Sequence, residues 1–191
     1  MSYRAHRKIL WIALLAGIAI LAVFVGITAG TSLARLSFEE LAQRSTAIAR
    51  LRCLTVETRW DNNEIWTSTT FAVLEQNKGT LGATVTIQML GGNIGNLHSR
   101  VDGVPAFRPG EEIYAFLWSR GAEPFRLLGW SQGTFRISHD SRTGFELVTQ
   151  DSADTPIYQP DAHEFSRRGI RNLPVDDFRR KLTRALAQKA P

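Results

Sequence analysis

The stretch Ala47–Gln76, AIARLRCLTVETRWDNNEIWTSTTFAVLEQ, decides the fold. Both of its halves are rich in β-branched and aromatic residues, which suit a pleated, half-buried surface. Asp61-Asn62-Asn63 separates them with residues that form tight turns. The stretch therefore reads as a β-hairpin, with Ala47 to Trp60 as one arm and Glu64 to Gln76 as the other.

The pattern continues on either side. Lys78-Gly79 and Gly82 punctuate the next connection, and ATVTIQML then alternates, with Val85, Ile87 and Met89 on one face and Thr84, Thr86 and Gln88 on the other. A long irregular segment follows, from Gly91 to Glu112, closed by a turn at Arg108-Pro109-Gly110-Glu111. IYAFLW (Ile113 to Trp118) is apolar at every position, as a central strand covered on both faces would be. PFRLLGWSQGTFRI reads as one strand with a glycine-marked bend, and GFELVT as a shorter one. Residues 151–173 are polar and proline-containing and read as an extended linker.

Two helices frame these strands. In LSFEELAQRS, Ser37 is placed to cap and Glu40 to complete a capping box, with Leu36 and Leu41 as its staple. In VDDFRRKLTRALAQK (residues 174–189 with the preceding proline) Val175, Phe178, Leu182 and Leu186 share a stripe, and Asp176, Asp177 and Arg184 suit the helix dipole. The expected fold is mainly β: a small antiparallel OB-like barrel or sandwich over residues 36–150, with a C-terminal amphipathic helix.

Ahead of this domain lies ILWIALLAGIAILAVFVGI, Ile9 to Ile27, without a charge. At 1.5 Å per residue such a run spans about 28 Å, the thickness of a hydrocarbon core. Arg4, Arg7 and Lys8 precede it as a basic cytoplasmic flank (residues 1–8), so residues 9–30 read as a transmembrane signal anchor that places the β domain outside the cytoplasm. The expected site is a bacterial inner membrane. Cleavage after Ala34 is the alternative, but the apolar cores of signal peptides usually span only about 7–15 residues. Ala22, Gly26 and Gly30 form a small-residue face suited to helix association.

The formal charge of +5 suggests nucleic acid, but three of the 23 basic residues precede the apolar run and all 18 acidic ones follow it. The remainder is close to neutral, so no nucleic-acid partner is expected. The one cysteine, Cys53, lies among apolar residues and reads as a buried side chain.

GWSQG (Gly129 to Gly133) matches the pattern around the nucleophile of serine hydrolases. That nucleophile needs a strand, a sharp turn and then a helix, whereas TFRISH after it alternates like a strand. The match is therefore read as a bend, and no catalytic residue is assigned. A small hydrolase using Ser131 with His139 or His163 is the alternative. His6, His98, His139 and His163 are scattered, and with one cysteine they suggest no metal site and no cofactor. Glu111 and Glu112 should point to opposite faces. Trp60 and Trp66 are expected to pair across the hairpin. Arg179, Arg180, Lys181 and Arg184 suit either anionic lipid or the outer side of a helix packed on the domain.

The best place for a binding site is the loop from Gly91 to Glu112, since long loops in compact domains often carry function. It offers Asn93, Asn96, His98, Arg100 and Asp102 as polar groups, with Val104 and Phe107 as anchors. The expected role is a membrane-anchored, extracytoplasmic, non-catalytic binding or accessory module, such as a subunit of a cell-envelope complex, with the membrane and protein partners.

The succession LSFEELAQRS, FAVLEQNKGTLGATVTIQMLGG, FRPGEEIYAFLW and GWSQGTFRI, with LPVDDFRRKL at the end, resembles a family of exported, membrane-anchored bacterial β-domain proteins. Its order is also similar to OB-like barrels such as the netrin-type modules of tissue metalloproteinase inhibitors. The cysteines behind that inhibition are missing here. The resemblance implies a fold, a compartment and a structural Gln-Gly turn at residues 132–133, and no activity.

Overall fold

The computed structural model describes residues 34–121 and 123–188. The apolar run and the Ala22, Gly26 and Gly30 face lie outside them. Among the described residues no helix is long and apolar enough to cross a membrane.

The hairpin forms as its sequence dictates. β1 (Ala47–Asp61) and β2 (Glu64–Lys78) pair antiparallel up to Asp61 opposite Glu64. Asn62 and Asn63 turn the chain at φ 47° and 66°, the two left-handed conformations that a type I′ turn needs. β3 (Thr84–Leu90) adds to β2 over Trp66 to Ala72. β6 (Glu112–Trp118) adds to the other side of β1, but only over Ala47 to Arg52. Beyond β6 come β8 (Thr134–His139), β9 (Glu146–Gln150) and the two-residue β12 (Leu173–Pro174), and the two-residue β7 (Arg126–Leu127) also pairs with β6. All these ladders are antiparallel.

The expected barrel does not close. β3 meets the segment leading into β7 through one bridge, Ile87 to Phe125, with the Gln88 N–H donating to the Phe125 carbonyl at 3.2 Å. The sheet curls without completing a ring, because β7 is too short to carry a ladder to both neighbours.

Each face of the sheet has its own core. Ala47, Ala49, Leu51 and Cys53 of β1 pack with Phe71, Val85, Ile87 and Met89, with Ile113, Ala115 and Leu117 of β6, and with Phe107 from the long loop. On the opposite face Ile48, Tyr114, Phe116, Phe135 and Val148 meet the two helices. β6 supplies both cores, and Ile113 to Leu117 are wholly buried, as the uniformly apolar IYAFLW implied.

α1 (Phe38–Arg44) carries the expected capping box. The Glu40 N–H donates to Ser37 Oγ at 3.1 Å, and the Ser37 N–H donates to the Glu40 carboxylate at 2.7 Å. α2 (Val175–Ala187) lays Val175, Phe178, Leu182 and Ala185 on the sheet, with Ala185 in the buried stripe and Leu186 at its margin. Its cations face outward onto acidic partners: Arg179 reaches Glu75 at 2.8 Å and Lys181 reaches Glu39 at 3.3 Å. Of the two roles open to this helix in the sequence, packing on the domain is the one found.

Three other expectations change. Residues 151–173 are not an extended linker: they hold a hairpin of β10 (Ile157–Gln159) and β11 (Glu164–Ser166), and Ser152, Ala153 and Ile157 are buried. The segment is polar in side chain but is tied by its backbone, with the Gln150 N–H donating to the Ile170 carbonyl and Arg171 to the Ala153 carbonyl. Residues 124–137 are not one strand but β7, a 3-10 turn (Trp130–Gly133) and β8. Trp60 and Trp66 do not pair: the register sets Trp60 opposite Ile65 and Trp66 opposite Arg59, on opposite faces. Trp66 instead takes Arg126, whose guanidinium carbon lies 5.8 Å from the ring centre.

Opposite Glu111, as expected, Glu112 faces the other side. Arg50, nearly buried, is clamped between Glu112 (2.5 Å) and Glu146 (2.6 Å). Burial pushes the Glu112 carboxyl up, but the hydrogen bonds and charges of Arg52 and Arg50 outweigh it and hold it below its ordinary value.

Candidate functional site

The loop after β3 does not run free. The Gly91 N–H donates to the Ile65 carbonyl at 2.7 Å, and Thr67 Oγ1 donates to the Gly91 carbonyl at 2.6 Å. Gly92 then passes directly over the Thr58–Thr67 pair at φ 138°, where a Cβ would overlap Thr67 Oγ1 and lie 2.7 Å from Thr58 Cγ2. Only glycine fits that crossing. A short hairpin follows, β4 (Gly92–Ile94) and β5 (Leu97–Ser99), inside what the sequence presented as irregular.

The chain then returns across the sheet. Phe107 inserts into the core edge-on to Phe71, ring centres 5.2 Å apart. Arg136 of β8 holds this return in place. Its guanidinium binds both oxygens of Asp151 at 2.6 and 3.0 Å, Glu111 at 2.8 Å and the Ala106 carbonyl at 2.8 Å, and lies 5.3 Å from the Phe107 ring centre. Burial lowers its basicity, but Asp151 and Glu111 outweigh that and keep it charged.

Between loop and sheet lies a cleft of about 750 Å³. Its floor is Val56, Thr58, Thr67 and Met89 from the three-stranded end of the sheet; its wall is Val101, Val104 and Phe107, with Asn93 and Arg100 beside them. Arg100 is exposed and, among the described residues, makes no ion pair within 4.0 Å, so it offers the cleft a positive charge. Of the expected site residues, Asn93, Arg100 and Phe107 meet here. His98 lines a smaller hollow of about 340 Å³ with Trp60 and Leu97, and its Nδ1 is 2.8 Å from Asn93 Oδ1. Asn96 and Asp102 are exposed and line neither.

Arg136, Asp151, Thr58 and Thr67 also line the cleft, and sequence reasoning missed them. The available signal was an arginine between Phe135 and Ile137, a charge placed where a half-buried strand must satisfy it.

Ser131 borders the cleft without the surroundings of a nucleophile. It sits in a 3-10 turn followed by a strand, its N–H donates to the Gly103 carbonyl at 3.0 Å, and its buried hydroxyl has no hydrogen-bond partner among the described residues. His139 lies 3.2 Å from Glu146, and His163 Nδ1 lies 3.2 Å from the Tyr158 hydroxyl. The working residue of GWSQG is Gln132. It donates to the Ala34 carbonyl at 2.9 Å and accepts from the Leu36 N–H at 2.8 Å, which pins the entry to α1 against the domain. Among the described residues no cluster of three His, Cys, Asp or Glu side chains is arranged to hold a metal.

Replacing Arg136 with Met is expected to strand Asp151 and Glu111 beside a half-buried methionine and to cost about 2–3 kcal/mol. Urea unfolding would measure the loss. Hydrogen exchange should rise first at residues 104–111; unchanged protection there would show that Phe107 alone holds the loop.

Comparison of the chain with protein-family models, curated proteins and solved structures finds no match.

Proposed function

We propose that the chain is a membrane-tethered, extracytoplasmic module that binds a protein partner in the cleft and performs no chemistry itself. The observation that carries this reading is the construction of the cleft. Two segments distant in sequence are clamped by Arg136 around a hollow whose lining mixes apolar side chains with threonines and charged groups, and in which Arg100 has no ion-pair partner among the described residues. Pockets of this size and mixed lining suit a ligand that buries an apolar group and places one charge. Val56, Met89 and Val104 would receive an apolar side chain, and Arg100 would receive a carboxylate of the same partner segment. The tether and the compartment follow from the Ile9–Ile27 run and its basic flank.

The test is a mild-detergent pull-down of the full chain from native membranes, set beside Arg100→Glu and Val104→Asp. A stoichiometric partner that both variants lose supports the reading. A partner retained by both, or none with the wild type, sinks it.

A further inference from the structure

We propose that the free outer edge of β1 pairs with the same edge of a second copy of this chain, antiparallel and centred on Thr58.

β1 is paired along its whole length with β2, but its other side meets β6 only as far as Arg52. One further step is made at Cys53, whose N–H donates to the Glu111 carbonyl and whose carbonyl accepts from Gly110, both at 2.9 Å. From Leu54 to Asp61 that side has no backbone partner among the described residues. The hairpin turn fixes which groups face outward. Asp61 and Glu64 flank a two-residue loop, so Asp61, Arg59 and Glu57 direct their backbone groups to β2, and Val56, Thr58 and Trp60 direct theirs away. The bulge at Leu54 makes this agree with Cys53, which also points outward.

A bare strand edge invites pairing, and proteins often guard one with charges. The charges here do the opposite for one partner. Glu57 and Arg59 stand one residue either side of Thr58. About a two-fold axis at Thr58, each Glu57 meets the Arg59 of the other copy, twice by symmetry. On the other face each Val56 meets a Trp60, and both are exposed in the single chain, at 37% and 52%. Parallel pairing in the same register would set like charge on like charge. About six backbone hydrogen bonds would form between the outward groups of the two strands. Val56 and Thr58 also floor the cleft, so the strand of the second copy would border each binding site.

The experiment is sedimentation equilibrium of the full chain in density-matched mild detergent, for the wild type, E57R, R59E and E57R/R59E. The wild type is expected to form a reversible dimer. Each single reversal should weaken it at least about tenfold, since two cross-strand pairs turn repulsive, and the double variant should recover it. The side chains of Glu57 and Arg59 are exposed and the Arg59–Asp61 contact is long at 3.7 Å, so thermal unfolding of the variants should match the wild type. A wild type that stays monomeric at every concentration reached overturns the proposal. So does a dimer indifferent to the single reversals, as association through the apolar run or another surface would give.

Discussion

Gly133→Ala is expected to destabilise the protein by about 3 kcal/mol, while Ser131→Ala, two residues away in the same motif, leaves stability unchanged or raises it by up to about 1 kcal/mol. The contrast follows from what each residue touches. At Gly133 the turn that precedes β8 runs under the carbonyl of Leu128, and a Cβ there would overlap that oxygen and lie 3.3 Å from the Phe116 carbonyl. Neither atom is the loose end of a side chain. The Leu128 N–H is itself bonded to the Phe116 carbonyl at 2.8 Å, so relief would require the β6–β7 connection to shift. Ser131, by contrast, buries a hydroxyl with no hydrogen-bond partner among the described residues. Alanine removes that unpaired group and leaves the N–H bond to Gly103 intact. Urea unfolding followed by tryptophan fluorescence separates the two variants. In a serine hydrolase the order of importance is reversed for activity, so turnover of an ester or peptide that vanishes in Ser131→Ala would defeat the binding reading. A stable Gly133→Ala would defeat the account of the turn.

Phe178→Ala is expected to cost about 3–5 kcal/mol, the range for a fully buried aromatic side chain, and to lower the melting temperature by roughly 10 °C. Phe178 is wholly buried, and its ring centre lies 4.7 Å from that of Tyr114, 5.1 Å from Phe135 and 5.6 Å from Phe38. It is the point at which α2, α1 and the sheet meet. Its loss should also release α1, which is tied to α2 by Gln43 donating to the Ala185 carbonyl at 2.6 Å. Near-ultraviolet circular dichroism should weaken before the far-ultraviolet signal, since the strands away from this face keep their own core. A cost below about 1 kcal/mol would mean that α2 is not a structural layer, and would return its basic face to the role of a lipid contact.

The hairpin was legible because its information is local. Alternating β-formers and two asparagines able to adopt positive φ set the register within one turn of chain. The same holds for the Ser37–Glu40 capping box and for the Val175–Phe178–Leu182 stripe. The linker reading of residues 151–173 failed for a related reason: side-chain polarity was visible, while the backbone bonds that bind the segment to β9 were not. The cleft was half legible. Loop length pointed to Asn93, Arg100 and Phe107 but gave no sign of Arg136 or of the threonines beneath Gly92, since those contacts join positions far apart in the chain. Arg136 to Ala106 spans 30 residues, and Gln132 to Leu36 spans 96.

By itself, then, the sequence determined the long hairpin and its turn, the capped first helix, the greasy face of the last helix and the strand that must lie in the middle; the short hairpins at 92–99 and 157–166 and the break of residues 124–137 into two strands escaped it. The tertiary structure decided how far the sheet curls, what closes over the Thr58–Thr67 pair, and which strand edge stays bare. The physical reason is range. Propensity, capping and amphipathic period act between neighbours, whereas a barrel's closure, a buried ion cluster and an unpaired edge depend on groups that meet only after folding.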